Sequence, residues 1–247
     1  MTYDFQDRVF LITGAASGIG RATALKLSSL GASLALCDIN STSLVTTTSL
    51  CTGSHFTHSF DIASSSECTH FIKDTISLYG KIDGIFNCAG INPTSIPLED
   101  TTDEYWDMMV NTNLKGTYNI TRAAIPFLKS GSSFVNVSSI CGLHPFPTFA
   151  IYCATKYAIT GFSKSMALEL GPKGIRVNVL APGFIDTPTN SGVIAGEEGV
   201  KSLEAKVSLG RLGSAEECAD VVAFLFSDGA RYMNGSVVEV NGGTAES

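Results

Sequence analysis

The sequence predicts an α/β fold of the doubly wound kind, a single domain in which about seven parallel strands carry helices on both faces. Three observations support this expectation. Short apolar runs alternate with helix-length segments along the whole chain. The runs are apolar at successive positions, the pattern of strands covered on both sides. The first run ends in a glycine-rich turn that opens directly into a helical segment, "RVFLITGAASGIGRATALKLSSLG".

The elements follow in order. "RVFLITG" is a buried strand, and "GIGRATALKLSSLG" a helix closed by Gly31, a residue suited to a C-cap. "ASLALCD" is the second strand, "STSLVTTTSLC" a weaker helix and "HFTHSFD" the third strand. "SSSECTHFIKDTISLYG" is a helix opened by capping serines. "IDGIFNCAG" supplies the fourth strand, and "TTDEYWDMMVNTNLKGTYNITRAAIPFLK" reads as one long helix. "SSFVNVSS" is the fifth strand, the segment from "YCATK" onward a helix, and "GIRVNVLAPG" the sixth strand. Residues 186–213 read as an irregular substrate lid holding one helix. "SAEECADVVAFLF" and "GSVVEVNGG" close the chain as its last helix and last strand.

Bulk properties exclude several function classes. The 247 residues carry a formal net charge of −7, which argues against nucleic acid or an anionic membrane as the partner. No apolar stretch approaches a membrane span, and "MTYDFQDRVF" lacks the basic-then-apolar start of a secretory signal. The seven cysteines are scattered without C-x-x-C spacing, so neither a zinc site nor a disulfide framework is expected. His55 and His58 lie three apart in or near a strand and so point to opposite faces, which disfavours a metal site. A cytosolic chain without a metal is the expectation.

The turn "TGAASGIG" (13–20) stands where a dinucleotide pyrophosphate binds in this fold. Gly14 permits the tight turn, Gly18 lets backbone N–H groups approach phosphate, and Gly20 allows close helix–strand packing. Ser17 and Ile19, between them, count among the cofactor contacts. A glycine cluster by itself is also a plain structural turn; its place between strand and helix favours the phosphate reading. Asp38 ends the second strand, where a carboxylate accepts bonds from ribose hydroxyls, with Ile39 beside it. "CDIN" offers no Lys or Arg to offset repulsion between Asp38 and a 2′-phosphate. The expected cofactor is therefore NAD rather than NADP.

Farther on, "YCATK" places Tyr152 and Lys156 four positions apart, on one face of the helix that follows. Two amphipathic side chains sharing a surface is one reading. The other is an ammonium that favours the ionised phenol and makes it a usable acid or base.

"TGAASGIG", "NCAG", "YCATK", "APGFIDT" and "NGG", in this order over essentially the whole chain, resemble the short-chain dehydrogenase/reductase family in its short single-domain, Rossmann-like form. The resemblance implies that Tyr152 is the catalytic acid/base and that Lys156 supports it and binds the nicotinamide ribose. It implies that Ser139 orients the substrate, with Ser138 in support, and that Asn113 holds a water of the proton relay. It further assigns Asp61 and Ile62 to adenine, Asn87, Ala89 and Gly90 to the cofactor, and Pro182, Gly183, Ile185 and Thr187 to the nicotinamide. The family's "NNAG" reads "NCAG" here, with Cys88 in place of the second asparagine.

The implied reaction interconverts a secondary alcohol and a ketone, with oxidation favoured by the choice of NAD. Leu143, Pro145, Phe146, Pro147, Phe149 and Phe184 make the expected pocket apolar, with no Lys or Arg before Lys201, so a hydrophobic alcohol or ketone is expected. His144 lies in the same segment. The rivals are a ketoreductase, such as a 3-oxoacyl reductase, and a non-catalytic NAD-binding regulator. Apolar residues on several faces of the helices near 101–128 and 151–170, together with the family's habit of pairing them, imply a homo-oligomer.

Overall fold

Strand β1 (Val9–Thr13) shows why a strand of this sheet carries apolar residues at successive positions. Phe10 and Ile12 pack into one core and Leu11 into another, on opposite faces of the sheet. The computed structural model describes residues 3–92, 95–188 and 196–244. In these, seven strands form one sheet in the order β3-β2-β1-β4-β5-β6-β7, every neighbouring pair parallel. The others are β2 (Ser33–Asp38), β3 (Phe56–Ser59), β4 (Gly84–Asn87), β5 (Ser133–Val137), β6 (Arg176–Pro182) and β7 (Val237–Val240). The order reverses between β1 and β4, and the crevice at the carboxyl ends of those two strands is where such sheets bind ligands.

The helices lie where the connections require. Helix α1 (Gly18–Ser29) packs on α8 (Ala215–Phe226) over one face. Helices α3 (Ser65–Tyr79), α5 (Gly116–Ala124) and α6 (Ala150–Leu170) cover the other, and α2 (Ser41–Leu50) flanks β3. Gly31, at φ +90°, ends α1 as the sequence predicts. Helix α8 opens on a capping box, in which Ser214 accepts from the Glu217 N–H while the Glu217 side chain accepts from the Ser214 N–H. Helix α7 (Gly196–Glu204) is the one helix of the described part of the segment expected as a lid. Part of that segment, 189–195, lies outside the described residues.

One element differs from the sequence expectation. The single long helix over 101–128 is broken into α4 (Asp103–Val110), a π turn at Asn111–Lys115, and α5. A π turn inserts an extra residue and re-aims the side chains within it. It turns Asn113 inward, to 1% exposure, where its Oδ1 accepts from the Ile91 N–H (2.8 Å) and its Nδ2 donates to the Ile91 carbonyl (2.9 Å). Hydrophobic periodicity cannot register such a turn, because the residues around it keep a helical spacing. No helix among the described residues is long and apolar enough to cross a membrane.

Candidate active site

The carboxyl ends of β1, β2, β4, β5 and β6 meet at a cavity of 480 Å³. Its near end is the turn after β1. Gly14 sits at φ +68°, where a Cβ would come within 2.8 Å of the Ala89 Cα. At Gly20 a Cβ would lie 2.1 Å from the Gly14 carbonyl oxygen. Gly14 thus serves the packing of the turn against the end of β4, and Gly20 the packing within the turn. The Thr13 hydroxyl accepts from both the Cys88 and Ala89 N–H groups, at 3.0 Å each, and ties the ends of β1 and β4 together. Ser17, the N-cap of α1, makes no side-chain capping bond, so the first-turn amides of α1 lack that partner where Gly18, Ile19 and Gly20 line the cavity.

Asp38 stands on the same wall. Its carboxylate is held by two backbone donors, Ala16 N–H to Oδ2 and Asn40 N–H to Oδ1, both at 2.9 Å. Ile39 follows on the rim, 72% exposed. Arg21, just beyond the glycine turn, is engaged inside the protein by the Ala16 carbonyl and the Thr47 hydroxyl. Asp61, Ile62, Ala89 and Gly90 continue the lining, followed by Pro182, Gly183, Ile185 and Thr187 across the cavity. Gly116 explains how close the π-turn region comes, since a Cβ there would meet Ile62 at 2.6 Å.

Tyr152, Lys156 and Ser139 close the far end. Tyr152 and Lys156 share a face of α6 and are almost wholly buried, with the Lys156 Nζ 5.6 Å from the centre of the phenol ring. Nζ also donates to the Val137 carbonyl at 3.1 Å. The Ser138 hydroxyl donates to the Lys156 carbonyl (2.8 Å) and pins that turn of α6 to the end of β5. Burial pushes the Tyr152 phenol well above its ordinary value, the thiol of Cys141 adds to this, and the hydrogen bond from Ser139 opposes it. Burial also drops Lys156 from 10.5 to about 8. In the cofactor-free protein, removing the phenol from water therefore dominates, and the Ser139 hydrogen bond is what opposes it.

Two expected cavity residues are not on its wall. Asn87 is buried beneath it, its Nδ2 donating to Asn136 Oδ1 (2.8 Å) and Thr121 Oγ1 (3.3 Å), so its amide joins β4 to β5 and α5. Asn113 stands one layer behind Gly90: a Cβ on Gly90 would meet Asn113 Oδ1 at 3.2 Å and the Lys156 Nζ at 3.6 Å. The cavity also takes in residues that no sequence motif marks, among them Phe60, Met108, Thr112 and Val137. Of these, Val137 was legible as the last strand residue before Ser138; Met108 and Thr112 reach the cavity through the α4–π turn geometry.

A second chamber of 140 Å³ opens beside Ser139 and Tyr152. Phe146, Phe149 and Phe184 line it as expected, with Ile140, Cys141 and Leu203. Leu143, Pro145, Pro147 and His144 are not on its wall; the Leu143 carbonyl instead accepts from the Tyr157 hydroxyl. Lys206, beyond the stretch that carries no Lys or Arg, is on the wall, so a basic residue joins the aromatic ones. The described residues contain no group of His, Cys, Asp or Glu able to hold a metal ion, and all seven cysteines are free thiols.

A family model described as enoyl-(acyl carrier protein) reductase matches residues 14–245. The chain is 36% identical over 243 residues to the 3-oxoacyl-[acyl-carrier-protein] reductase FabG of Thermotoga maritima, covering 96% of this chain and 98% of that protein. It belongs to the short-chain dehydrogenase/reductase family. Identity is 37% to the short-chain dehydrogenase/reductase aba4 of Botryotinia fuckeliana, with 97% of each chain covered. Among solved structures, levodione reductase superposes with a TM-score of 0.93 at 33% identity, over 96% of this chain and 97% of that one. A short-chain dehydrogenase from Burkholderia cenocepacia, in complex with NADP, superposes at 0.90 and 26% identity, over 97% and 98%. As a member of this family the chain is an oxidoreductase with a nicotinamide cofactor.

Proposed function

We propose that the protein is an NAD-dependent dehydrogenase that oxidises a secondary alcohol on a hydrophobic small molecule to the ketone. The observation that carries this is the continuity of the two chambers: a phenol and a hydroxyl, Tyr152 and Ser139, stand where the long cavity meets an aromatic-walled one.

The residues suit a dinucleotide. The uncapped amides at the start of α1 take the pyrophosphate, and Asp38, oriented by two backbone donors, takes the adenosine ribose hydroxyls. Asp61 and Ile62 bracket the adenine, Ala89 and Gly90 bound the cavity floor, and Pro182, Gly183, Ile185 and Thr187 face the nicotinamide end. A nicotinamide cofactor held by these residues would supply the hydride acceptor and, in its oxidised form, a positive charge. Ser139 hydrogen-bonds the substrate oxygen and fixes which carbon faces the cofactor. Tyr152 takes the hydroxyl proton. Lys156 holds a positive charge next to the phenol and binds the nicotinamide ribose. Asn113, behind Gly90, supports the relay that passes the proton onward.

Asp38 favours NAD, since a 2′-phosphate would meet a carboxylate whose nearest sequence neighbours carry no cation. The likeness to a 3-oxoacyl reductase and to an NADP-bound neighbour favours a second reading, a ketoreductase working in the opposite direction. Initial rates with NAD, NADP and their reduced forms on a panel of cyclic secondary alcohols and ketones separate the two. Faster oxidation with NAD supports the first, and faster reduction with NADPH the second.

The chain is read as one domain with a lid over 186–213. The free thiols accord with a cytosolic enzyme. A homo-oligomer is proposed because Trp106 and Met108 on α4, Tyr118 on α5, and Tyr157 and Leu168 on α6 leave large apolar side chains exposed on neighbouring helices.

A further inference from the structure

At the opposite end of the sheet from the cofactor cavity lies a cleft of 540 Å³ with a different chemistry. Arg8, just before β1, and Arg176, the first residue of β6, both line it, and Arg231 enters from the connection between α8 and β7. Because the strands are parallel, their amino ends are about 15–20 Å from the carboxyl ends that form the active site. The cleft is therefore a separate place on the molecule.

Its charge is anomalous. The protein carries a net −7, yet three arginines line this cleft with one acidic residue, Asp228. Two of the three are accounted for. Arg176 donates to the carbonyls of Leu225 (2.8 Å) and Met233 (3.3 Å), and Arg231 donates to the Asp228 carbonyl (3.0 Å). Arg8 is not. Its side chain makes no hydrogen bond or ion pair among the described residues, and its Nε is buried without an acceptor. Burial and the like charge of Arg8 hold Arg176 below its ordinary value, and only Asp228 pushes the other way. A buried guanidinium N–H without an acceptor, beside a second guanidinium, is a combination that folded proteins avoid unless something completes it.

We propose that this cleft is a binding site for a small oxyanion, of the phosphate or phosphate-monoester class. A tetrahedral oxyanion presents several acceptors to guanidinium forks and cancels the repulsion between them, which a single carbonyl cannot do. Arg8 is its principal ligand and Arg231 the second, while Arg176, tied to two carbonyls, supplies charge from behind. The site is independent of the catalytic reading, because none of these residues touches the active-site cavity.

The test is a titration of the full chain with inorganic phosphate at low ionic strength, followed by calorimetry and by the ¹⁵N–¹H signals of arginine Nε–Hε groups. Phosphate can also visit the glycine turn, so the informative quantity is the difference between wild type and variants remote from that turn. Arg8→Met and Arg231→Met should each weaken the binding of one phosphate by about tenfold or more. The Arg8 signal, assigned by its absence from Arg8→Lys, should shift with a saturating curve of the same affinity. Alcohol oxidation by Arg8→Met should equal wild type, which also shows that this variant folds. The proposal is overturned if the variant combining Arg8→Met with Arg231→Met binds phosphate as wild type does, if no saturable binding is found, or if the Arg8 signal moves no more than those of exposed arginines.

Discussion

Replacing Lys156 by methionine should stabilise the cofactor-free protein at neutral pH. Burial lowers the ammonium from 10.5 to about 8, so the folded state prefers the neutral amine more than the unfolded chain does. At about 1.4 kcal/mol per pH unit, this corresponds to a penalty of about 3 kcal/mol. The sign follows from proton counts. Below about pH 8 both folded and unfolded chains hold the proton, and the penalty is complete. Between about pH 8 and 10.5 the folded state binds fewer protons, so stability rises with pH and the penalty fades. Methionine matches the length of the stem without the charge, but it abandons the hydrogen bond to the Val137 carbonyl, worth about 1 kcal/mol. The net expectation is a gain of about 2 kcal/mol at pH 7 that shrinks and changes sign toward pH 10. Urea unfolding at fixed protein concentration, wild type against Lys156→Met at several pH values, reads this difference directly. A variant destabilised by the same amount at pH 7 and pH 10 would refute the reasoning.

Other outcomes follow from the same geometry. Replacing Asp38 by Ala and Ile39 by Arg should raise the NADP-to-NAD ratio of kcat/KM, by removing a carboxylate and adding a phosphate partner at an exposed rim position; a wild type that already prefers NADP would contradict the role given to Asp38. Gly14→Ala should cost more than about 2 kcal/mol in a denaturation experiment, since φ is +68° and the new Cβ would lie 2.8 Å from the Ala89 Cα. Light scattering at micromolar concentration should give a dimer or tetramer; a monomer would leave the exposed rings on α4, α5 and α6 without a purpose. In alcohol oxidation with saturating cofactor, kcat/KM should rise with pH as Tyr152 ionises, and Lys156→Met should move that rise to higher pH; an unmoved limb would reduce the lysine to a cofactor ligand.

The strand and helix pattern was legible because burial on both faces of a parallel sheet demands continuous apolar runs, and "VFLIT" and "RVNVLAP" meet that demand. The glycine turn was legible because backbone approach leaves no choice of residue at Gly14 or Gly20. What the sequence concealed is long-range. Nothing in "NTNLKG" announces a π turn, which forms to let Asn113 clamp both backbone groups of Ile91, twenty-two residues earlier. Asn87 has the same chemistry whether it faces a cofactor or Asn136, and only the neighbouring strand decides. Lys206 reaches the aromatic chamber through the placement of the segment after α7, a tertiary relation that local pattern does not encode. Spacing reveals the ammonium beside Tyr152 but not the depth to which the phenol is buried, which raises it in the cofactor-free protein.

The central claim is that Tyr152 moves the proton, and the most direct measurement is turnover by Tyr152→Phe on a panel of cyclic apolar secondary alcohols, alongside its affinity for NAD by calorimetry. The substitution removes one oxygen and leaves the glycine turn, Asp38, Ser139 and Lys156 in place. The account predicts a fall in kcat/KM of roughly two to four orders of magnitude, with NAD binding close to that of the wild type. Turnover near the wild-type rate, with cofactor still bound, would contradict it.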